Sequence, residues 1–263
     1  MFKTLSDTES RTAWPTHRSF PPPYPACSGS CRQNPPGWGG NLLRGLFHSL
    51  QIALGSFGIG LIIGTLGAYG KLYGGPIVRD IAAIYTTMVR AIPELVLILL
   101  LYYAGTDLIN RLFEALGYSR VDISGLVAGI VVLGFVQGAY ATEVLRGAIK
   151  SIPQGEIEAA RAYGMSPSLM MRRITLPAML PHALPGLANL WLIATKDTSL
   201  LAVVGFAELT LETRQAAGAT KAYFLFYMAA GALYLFITLF SNAIIGRVEI
   251  WARRGMPSVK EAH

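Results

Sequence analysis

Two short groups of polar residues interrupt long apolar runs of the chain, and they are its strongest candidates for chemistry. The first group is Arg90-Ala-Ile-Pro-Glu94 and the second is Thr195-Lys-Asp-Thr-Ser199. A charged side chain inside a membrane-length apolar run is costly, so we expect it to face a bundle interior or a water-filled cavity. The sequence therefore predicts a substrate pathway lined by six residues: Arg90, Glu94, Lys196, Asp197, Thr198 and Ser199.

Each group also has a structural interpretation. Arg90 and Glu94 stand four residues apart, so they share a helix face if the helix continues past Pro93, and they could form an ion pair that holds a proline kink together. That ion pair and a pathway role do not exclude one another. In the pathway, a buried carboxylate would favour a cationic side chain and an arginine would favour a carboxylate.

The second group could equally be a polar break in a spanning helix. Thr198 and Ser199 can satisfy backbone groups that such a break would free. Lys196 and Asp197 are consecutive, so they do not share a helix face. We therefore expect at most one of these two charged side chains to point straight into a cavity.

Neither an enzyme nor an ATP site is indicated. The chain has no His-Glu-x-x-His pair and no Gly-x-Ser-x-Gly elbow, and its most plausible nucleophile, Ser199, has no histidine nearby in sequence. Gly70-Lys71 superficially resembles a phosphate-binding loop. The position five residues before Gly70 is Thr65, however, and Leu72 follows Lys71 where a serine or threonine is required. Energy for transport would have to come from another chain.

Composition places the chain among polytopic membrane proteins. Of its 263 residues 52% are apolar and only 14% are charged, against about 25% charged residues in soluble domains. The net charge of +7 comes from basic residues at the ends of apolar runs, which is typical of topogenic charge rather than of a nucleic-acid groove. The sequence predicts five spans, at about 46–69, 81–104 (kinked at Pro93), 123–141, 183–206 and 222–245. Residues 105–122 are expected to form a mixed-charge loop that could contain a short amphipathic helix.

The predicted domain organisation has three parts. Residues 1–40 are rich in proline and glycine and predict a disordered amino-terminal extension. Its Cys27 and Cys31 could pair in an oxidising compartment, but they indicate neither a metal site nor a disulfide scaffold. Residues 41–250 form the transmembrane domain, and residues 251–263 form a carboxyl-terminal tail.

Lysine and arginine counts predict the orientation. One set of alternate loops is far richer in basic residues than the other, once the long amino-terminal extension is left aside. The richer set is expected to face the cytoplasm. Five spans then place the amino terminus outside and the carboxyl terminus inside. The richer set comprises Lys71, Arg79, Arg146, Lys150, Arg161, Arg172, Arg173, Arg247, Arg253, Arg254 and Lys260.

The stretch from Ile152 to Pro177 predicts two short cytoplasmic helices around a turn. Gly164 follows the first helix where a left-handed residue closes helices. Ser166 is expected to cap the second helix, with Pro167 at its first position. Leu176-Pro177 is expected to end that second helix. A short helical unit of this kind between spans is either a passive connector or a docking surface.

Three elements of this stretch resemble the EAA loop of binding-protein-dependent ABC importer permeases. They are Glu158-Ala159-Ala160, Gly164 six residues after the glutamate, and Ile174-Thr-Leu176-Pro177. Ala139-Tyr140 with Glu143, Leu145-Arg146-Gly147, Ile152-Pro-x-Gly155 and Lys196-Asp-Thr-Ser-Leu200 resemble the polar amino acid branch of that family. The resemblance covers about residues 42–250 and leaves out the amino-terminal extension.

The resemblance implies an all-α type I ABC importer permease fold with five transmembrane helices, in a bacterial inner membrane. Its loop docks onto a separate ATPase and transmits the closure of the ATPase pair. Partners would be a second permease, identical or similar, two ATPases that carry ATP and magnesium, and an extracytoplasmic binding protein, with no cofactor on this chain. The implied docking residues are Glu158, Ala159, Ala160, Gly164, Ile174, Leu176 and Pro177.

The resemblance also bears on the substrate. Pro93-Glu94-Leu95 is similar to the corresponding segment of histidine, basic amino acid and opine permeases, which implies a polar, basic amino acid or an opine. The competing class is a self-sufficient secondary transporter or channel that uses the intramembrane charges as an ion relay. Five spans, no visible internal repeat and a docking loop argue against that class. The exact substrate, the pairing of permeases and the chain that holds the substrate site stay open.

Overall fold

The computed structural model describes residues 38–119 and 124–252, and this part of the chain is helical without strands. It also contains a π-helical turn (Met171–Thr175) and a 3-10 helix (Thr198–Val204). The α-helices are α1 (Trp38–Tyr73), α2 (Pro76–Ala91), α3 (Glu94–Ala115), α4 (Gly125–Lys150), α5 (Gln154–Ala162), α6 (Pro167–Met170), α7 (Leu176–Asp197), α8 (Leu209–Thr220) and α9 (Tyr223–Ala252).

Five helical segments of the described part are long and apolar enough to cross a membrane, which confirms the predicted number of spans. They are α1, α3, α4, the run Pro167–Val204 and α9. The helices extend beyond most of the predicted limits, because helical hydrogen bonding continues through the polar residues that flank each apolar run. The first helix includes Trp38–Gly40, whereas residues 1–37 and 253–263, with Cys27, Cys31, Arg253 and Arg254, lie outside the described residues.

The central helix is α4, which packs against α1, α2, α3 and α7. Its contact with α1 is close because small residues face one another. A Cβ atom added at Gly64 would lie 2.5 Å from the Cβ of Ala141, and one added at Gly60 would lie 2.9 Å from the Cβ of Gln137. Glycines at these positions of α1 therefore allow the two helices to pack closely.

The predicted second span is broken rather than kinked. Its first part, α2, ends at Ala91, and its second part, α3, begins at Glu94. Between them Ile92 and Pro93 adopt ψ angles of 138° and 133°. A proline disfavours helical geometry in the residue before it and removes a hydrogen bond, so the helix ends and restarts. The assumption that this helix continues past Pro93 is wrong.

The predicted loop at 105–122 is mostly helical, since α3 continues to Ala115. The mixed charges that suggested a loop instead pair along the helix surface, as Arg111 Nε lies 2.8 Å from Asp107 Oδ2. The chain leaves the helix at Gly117, whose φ of +81° requires a residue without a Cβ. Arg120 and Asp122 lie outside the described residues.

Leu176-Pro177 does not end the second helix of the Ile152–Pro177 stretch, so that prediction is wrong. Helical structure runs continuously from Pro167 to Val204. The turn before Pro177 is π-helical, and this wider turn gives room for the proline ring without ending the helix.

The polar segment at Thr195–Ser199 changes the type of helix instead of opening a loop. The α-helix ends at Asp197 and a 3-10 helix begins at Thr198. The Thr198 hydroxyl donates to the carbonyl oxygen of Thr195 at 2.9 Å, and the Thr195 hydroxyl donates to that of Leu192 at 2.8 Å. The expectation that Thr198 satisfies a backbone group at this position is confirmed.

Candidate functional site

Two discontinuous helices meet the central helix α4 at a group of polar residues. The break between α2 and α3 places Arg90 and Glu94 beside Tyr140 of α4, and Asp197 at the end of α7 also lies within electrostatic range of Glu94 and Tyr140. We call Arg90, Glu94, Gln137, Tyr140 and Asp197 the polar cluster.

The most buried contact of the polar cluster joins α4 to α7. Gln137 Nε2 donates to Asp197 Oδ2 at 3.1 Å, and these two residues are 1% and 9% exposed. The other amide oxygen, Gln137 Oε1, is buried without a hydrogen-bond partner among the described residues. Lys196, by contrast, is exposed. Of the two consecutive charges, only Asp197 therefore belongs to the polar cluster, in agreement with the expectation that at most one does.

Arg90 does not pair with Glu94. Both residues are described, and no ion pair forms between them; the guanidinium carbon of Arg90 instead lies 5.9 Å from the centre of the Tyr140 ring. This is a cation–π distance. The ion pair that the four-residue spacing allowed is lost because the helix breaks between the two residues. Glu94, no longer tied to Arg90, lies close to Asp197.

A second polar group joins three helices about one turn further along α4, toward its carboxyl end. Lys71 Nζ donates to Glu143 Oε1 and to Thr86 Oγ1, each at 2.5 Å. Arg146 donates to Glu143 Oε2 through Nε at 2.9 Å and Nη2 at 2.6 Å. The three-residue spacing of Glu143 and Arg146 is a sequence signal for part of this arrangement. The contact with Lys71, 72 residues away, has no such signal.

The Ile152–Pro177 stretch has the predicted helix–turn–helix form, and we call it the coupling loop. Its turn is a Schellman closure around Gly164, whose φ is +74°. The Met165 N–H donates to the carbonyl oxygen of Ala160 at 3.1 Å, and the Gly164 N–H donates to that of Arg161 at 2.9 Å. Ser166 precedes α6 as predicted, but its side chain makes no capping hydrogen bond.

The coupling loop has one attached face and one free face. Ile152 is buried in a cluster with Leu145 of α4 and with Met179 and Ala183 of α7, and Ile157 packs against that cluster. The predicted docking residues divide between these faces. Ala160 is buried and Ile174 is half-buried, whereas the exposed members are Glu158, Ala159, Gly164, Leu176 and Pro177.

The predicted pathway residues fall into two groups. Three of them, Arg90, Glu94 and Asp197, lie together in the polar cluster. Thr198 is fully buried and Ser199 is half-buried at the start of the 3-10 helix. Gln137 and Tyr140 were not predicted as pathway residues, although polar side chains within the apolar run of α4 were a signal that could have identified them.

Comparison with known proteins gives consistent matches over most of the chain. A family model described as "Binding-protein-dependent transport system inner membrane component" matches residues 57–253. The chain is 40% identical over 223 residues to the octopine transport system permease protein OccQ of Rhizobium radiobacter, covering 84% of this chain and 94% of that protein. It is 39% identical over 226 residues to the histidine/lysine/arginine/ornithine transport system permease protein HisQ of Escherichia coli (strain K12), covering 86% and 98%.

Solved structures agree in fold. The chain superposes on a chain of an amino acid ABC transporter crystallised with histidines with a TM-score of 0.69 and 27% identity, covering 81% of this chain and 94% of that one. An inward-facing MetNI methionine ABC transporter structure matches with a TM-score of 0.66 and 21% identity, covering 84% and 99%. The second likeness concerns the fold alone.

Proposed function

The chain belongs to the family of binding-protein-dependent transport system inner membrane components, and from this premise we propose that it imports basic amino acids or opines by alternating access. It is a permease subunit of an ABC importer for amino acids or opines, in the inner membrane. Hydrolysis of ATP is done by a partner ATPase and not by this chain. A self-sufficient secondary transporter is not favoured.

The polar cluster supports the substrate class. Asp197 and Glu94 supply two carboxylates close together, and Gln137 holds the first of them. Such a pair would attract a cationic side chain, while Arg90 beside Tyr140 would attract the carboxylate of an amino acid. Lys196, Thr198 and Ser199 would extend the pathway along the end of α7 and into the 3-10 helix. The curated relatives named above transport histidine, lysine, arginine, ornithine or octopine, according to their names.

The connection between the coupling loop and the polar cluster supports the mechanism. The buried face of the loop packs on α4 and α7, and both helices lead to the polar cluster. Tyr140 stands 12 residues before Ile152, about 18 Å along a helix, and Asp197 ends the helix that begins at Leu176, about 32 Å away. Because helices are stiff over such lengths, force on the free face of the loop would move both sides of the cluster.

The assembly follows from this mechanism. The loop lies in the cytoplasm, with the amino terminus of the chain outside and the carboxyl terminus inside. A second permease, identical or similar, completes the membrane part, and two ATPases that bind ATP and magnesium dock onto the loops. An extracytoplasmic binding protein delivers the substrate. When ATP closes the ATPase pair, the substrate cavity between the two permeases opens to the outside. After ATP hydrolysis the cavity opens to the cytoplasm again.

The observation that carries the proposal is the meeting of two broken helices at the polar cluster. There α4 and α7, the helices that hold the coupling loop, bring Gln137 onto the buried Asp197. The test is uptake by liposomes that contain the permeases, the ATPase and the binding protein. Labelled arginine or octopine should accumulate only with ATP, and glutamate should not compete. Equal competition by glutamate would contradict the substrate class. Uptake driven by an ion gradient in liposomes containing this chain alone would contradict the mechanism.

A further inference from the structure

A pocket lined mainly by cations lies between α1, α2 and α4, apart from the polar cluster. It has a volume of about 410 Å³ and is lined by six residues, of which four are basic. We call it the basic pocket. Its lining residues come from the end of α1, the body of α2 and the end of α4: Lys71, Leu72, Arg79, Ala83, Arg146 and Lys150.

The acidic residues around the basic pocket do not neutralise it. Glu143 serves both Lys71 and Arg146, so one carboxylate is shared by two cations. Within the described residues Arg79 has one acidic partner, Asp80, at 3.9 Å, with both side chains more than half exposed. An exposed pair of this kind contributes little. Among the described residues, Lys150 has no ion pair. The pocket therefore carries a surplus of positive charge that an anion would offset.

Neighbouring side chains place the basic pocket at the depth of lipid headgroups. Tyr69 and Tyr73 flank Lys71 on α1, are 59% and 50% exposed, and contact one another with ring centres 5.1 Å apart. Tyrosines with this exposure are typical of the boundary between membrane and water. On α2, Ile77, Ile81 and Ile84 are all more than half exposed along one side of the helix. This stripe lies on the face of α2 opposite Arg79 and Ala83, so lipid chains would cover it without entering the pocket.

We propose that the basic pocket binds the phosphate group of an anionic phospholipid. Basic pockets between spanning helices recognise such headgroups through the same charge complementarity. A soluble phosphate would satisfy the cations equally well, but the pocket lies at the depth of lipid headgroups, where phospholipid phosphate surrounds the protein.

The bound lipid would also support transport. Lys150 stands two residues before Ile152, which anchors the coupling loop, and Lys71, Arg79 and Arg146 belong to three different helices. An anion held by these cations would fasten α1 and α2 to the end of α4 that carries the loop. This consequence rests on the proposed function, whereas binding of the lipid does not.

The test measures which lipids stay bound to the assembled importer after its release from nanodiscs. These nanodiscs contain equal amounts of phosphatidylglycerol and phosphatidylcholine. The wild type should retain phosphatidylglycerol preferentially, as measured by native mass spectrometry. The double variant Arg79→Gln/Lys150→Gln removes two cations that do not bind Glu143. It should lose about 25-fold of this preference, since each of the two basic residues near an anionic lipid surface contributes about 1 kcal/mol, or about fivefold. The double variant Arg111→Gln/Arg214→Gln removes two exposed charges elsewhere and should behave as the wild type does.

Three results would overturn the proposal. The first is equal retention of the two lipids by the wild type, and the second is an unchanged preference in the Arg79→Gln/Lys150→Gln variant. The third is displacement of phosphatidylglycerol by inorganic phosphate, which would assign the pocket to a soluble anion. Retention is measured without transport, so a failure here is distinct from a failure of the proposed function.

Discussion

The polar cluster and the coupling loop carry charges in opposite environments. Asp197 is 9% exposed and is held by Gln137, whereas Glu158 lies on an exposed helix face of the loop. A buried charge interacts strongly with its surroundings because little water screens it. An exposed charge contributes little until a partner covers it. The charges of the polar cluster therefore interact strongly within the bundle. The charges of the coupling loop would interact strongly only when another subunit covers them.

The same contrast holds for backbone geometry. In the polar cluster the backbone departs from the α-helix at two places, after Ala91 and after Asp197, and side chains of other helices lie there. In the coupling loop the turn between α5 and α6 is closed by one left-handed residue, Gly164, whose hydrogen bonds are local. Changes in the cluster should therefore alter transport, and changes in the loop should alter assembly with the ATPase.

The largest effect is expected for Asp197→Asn. This change removes the buried charge but keeps the shape and the hydrogen bond from Gln137. ATP-driven uptake should fall by about a hundredfold, because a charged hydrogen bond to the substrate contributes about 1.5–3 kcal/mol and more when it is buried. Copurification with the ATPase should be unchanged. The control is Asp107→Asn, which alters an exposed carboxylate on α3; equal loss of uptake in the two variants would contradict a pathway role for Asp197.

A smaller effect is expected for Gly164→Ala. Its φ of +74° disfavours any residue with a Cβ by about 1–2 kcal/mol, so the closed turn should be populated about tenfold less. Affinity for the ATPase, measured by titration of the purified subunit, should fall by the same factor. Gly155→Ala provides the matched control, because an added Cβ there meets nothing within 4 Å. Equal affinities in the two variants would mean that the turn does not organise docking.

Sequence reasoning succeeded in the coupling loop and fell short in the polar cluster for a physical reason. Gly164 and Pro167 act on their own neighbours, so the local sequence predicts the turn. The contact between Gln137 and Asp197 joins residues 60 positions apart and depends on how three helices pack. Pro177 was misread as a helix end, since nothing in the local sequence reveals that a π-helical turn precedes it.

The smallest effect is expected for Ser166→Ala, also in the coupling loop. Loss of an N-cap side chain usually costs about 1 kcal/mol. Ser166 makes no capping bond, and its hydroxyl only approaches that of Ser168 at 3.4 Å. Thermal stability and ATPase affinity should therefore both stay at the wild-type value. A clear drop in melting temperature would show that the hydroxyl caps α6 in the assembled importer.

The central claim is that an ATPase acts on the free face of the coupling loop while the substrate is recognised elsewhere. The most direct measurement is copurification of the ATPase with Glu158→Lys, compared with Glu156→Lys on the same exposed helix and with Asp197→Asn in the polar cluster. We predict that only Glu158→Lys loses the ATPase, by at least tenfold, since an unfavourable charge at a docked interface costs several kcal/mol. Normal ATPase binding by Glu158→Lys, or equal loss in all three variants, would contradict the claim.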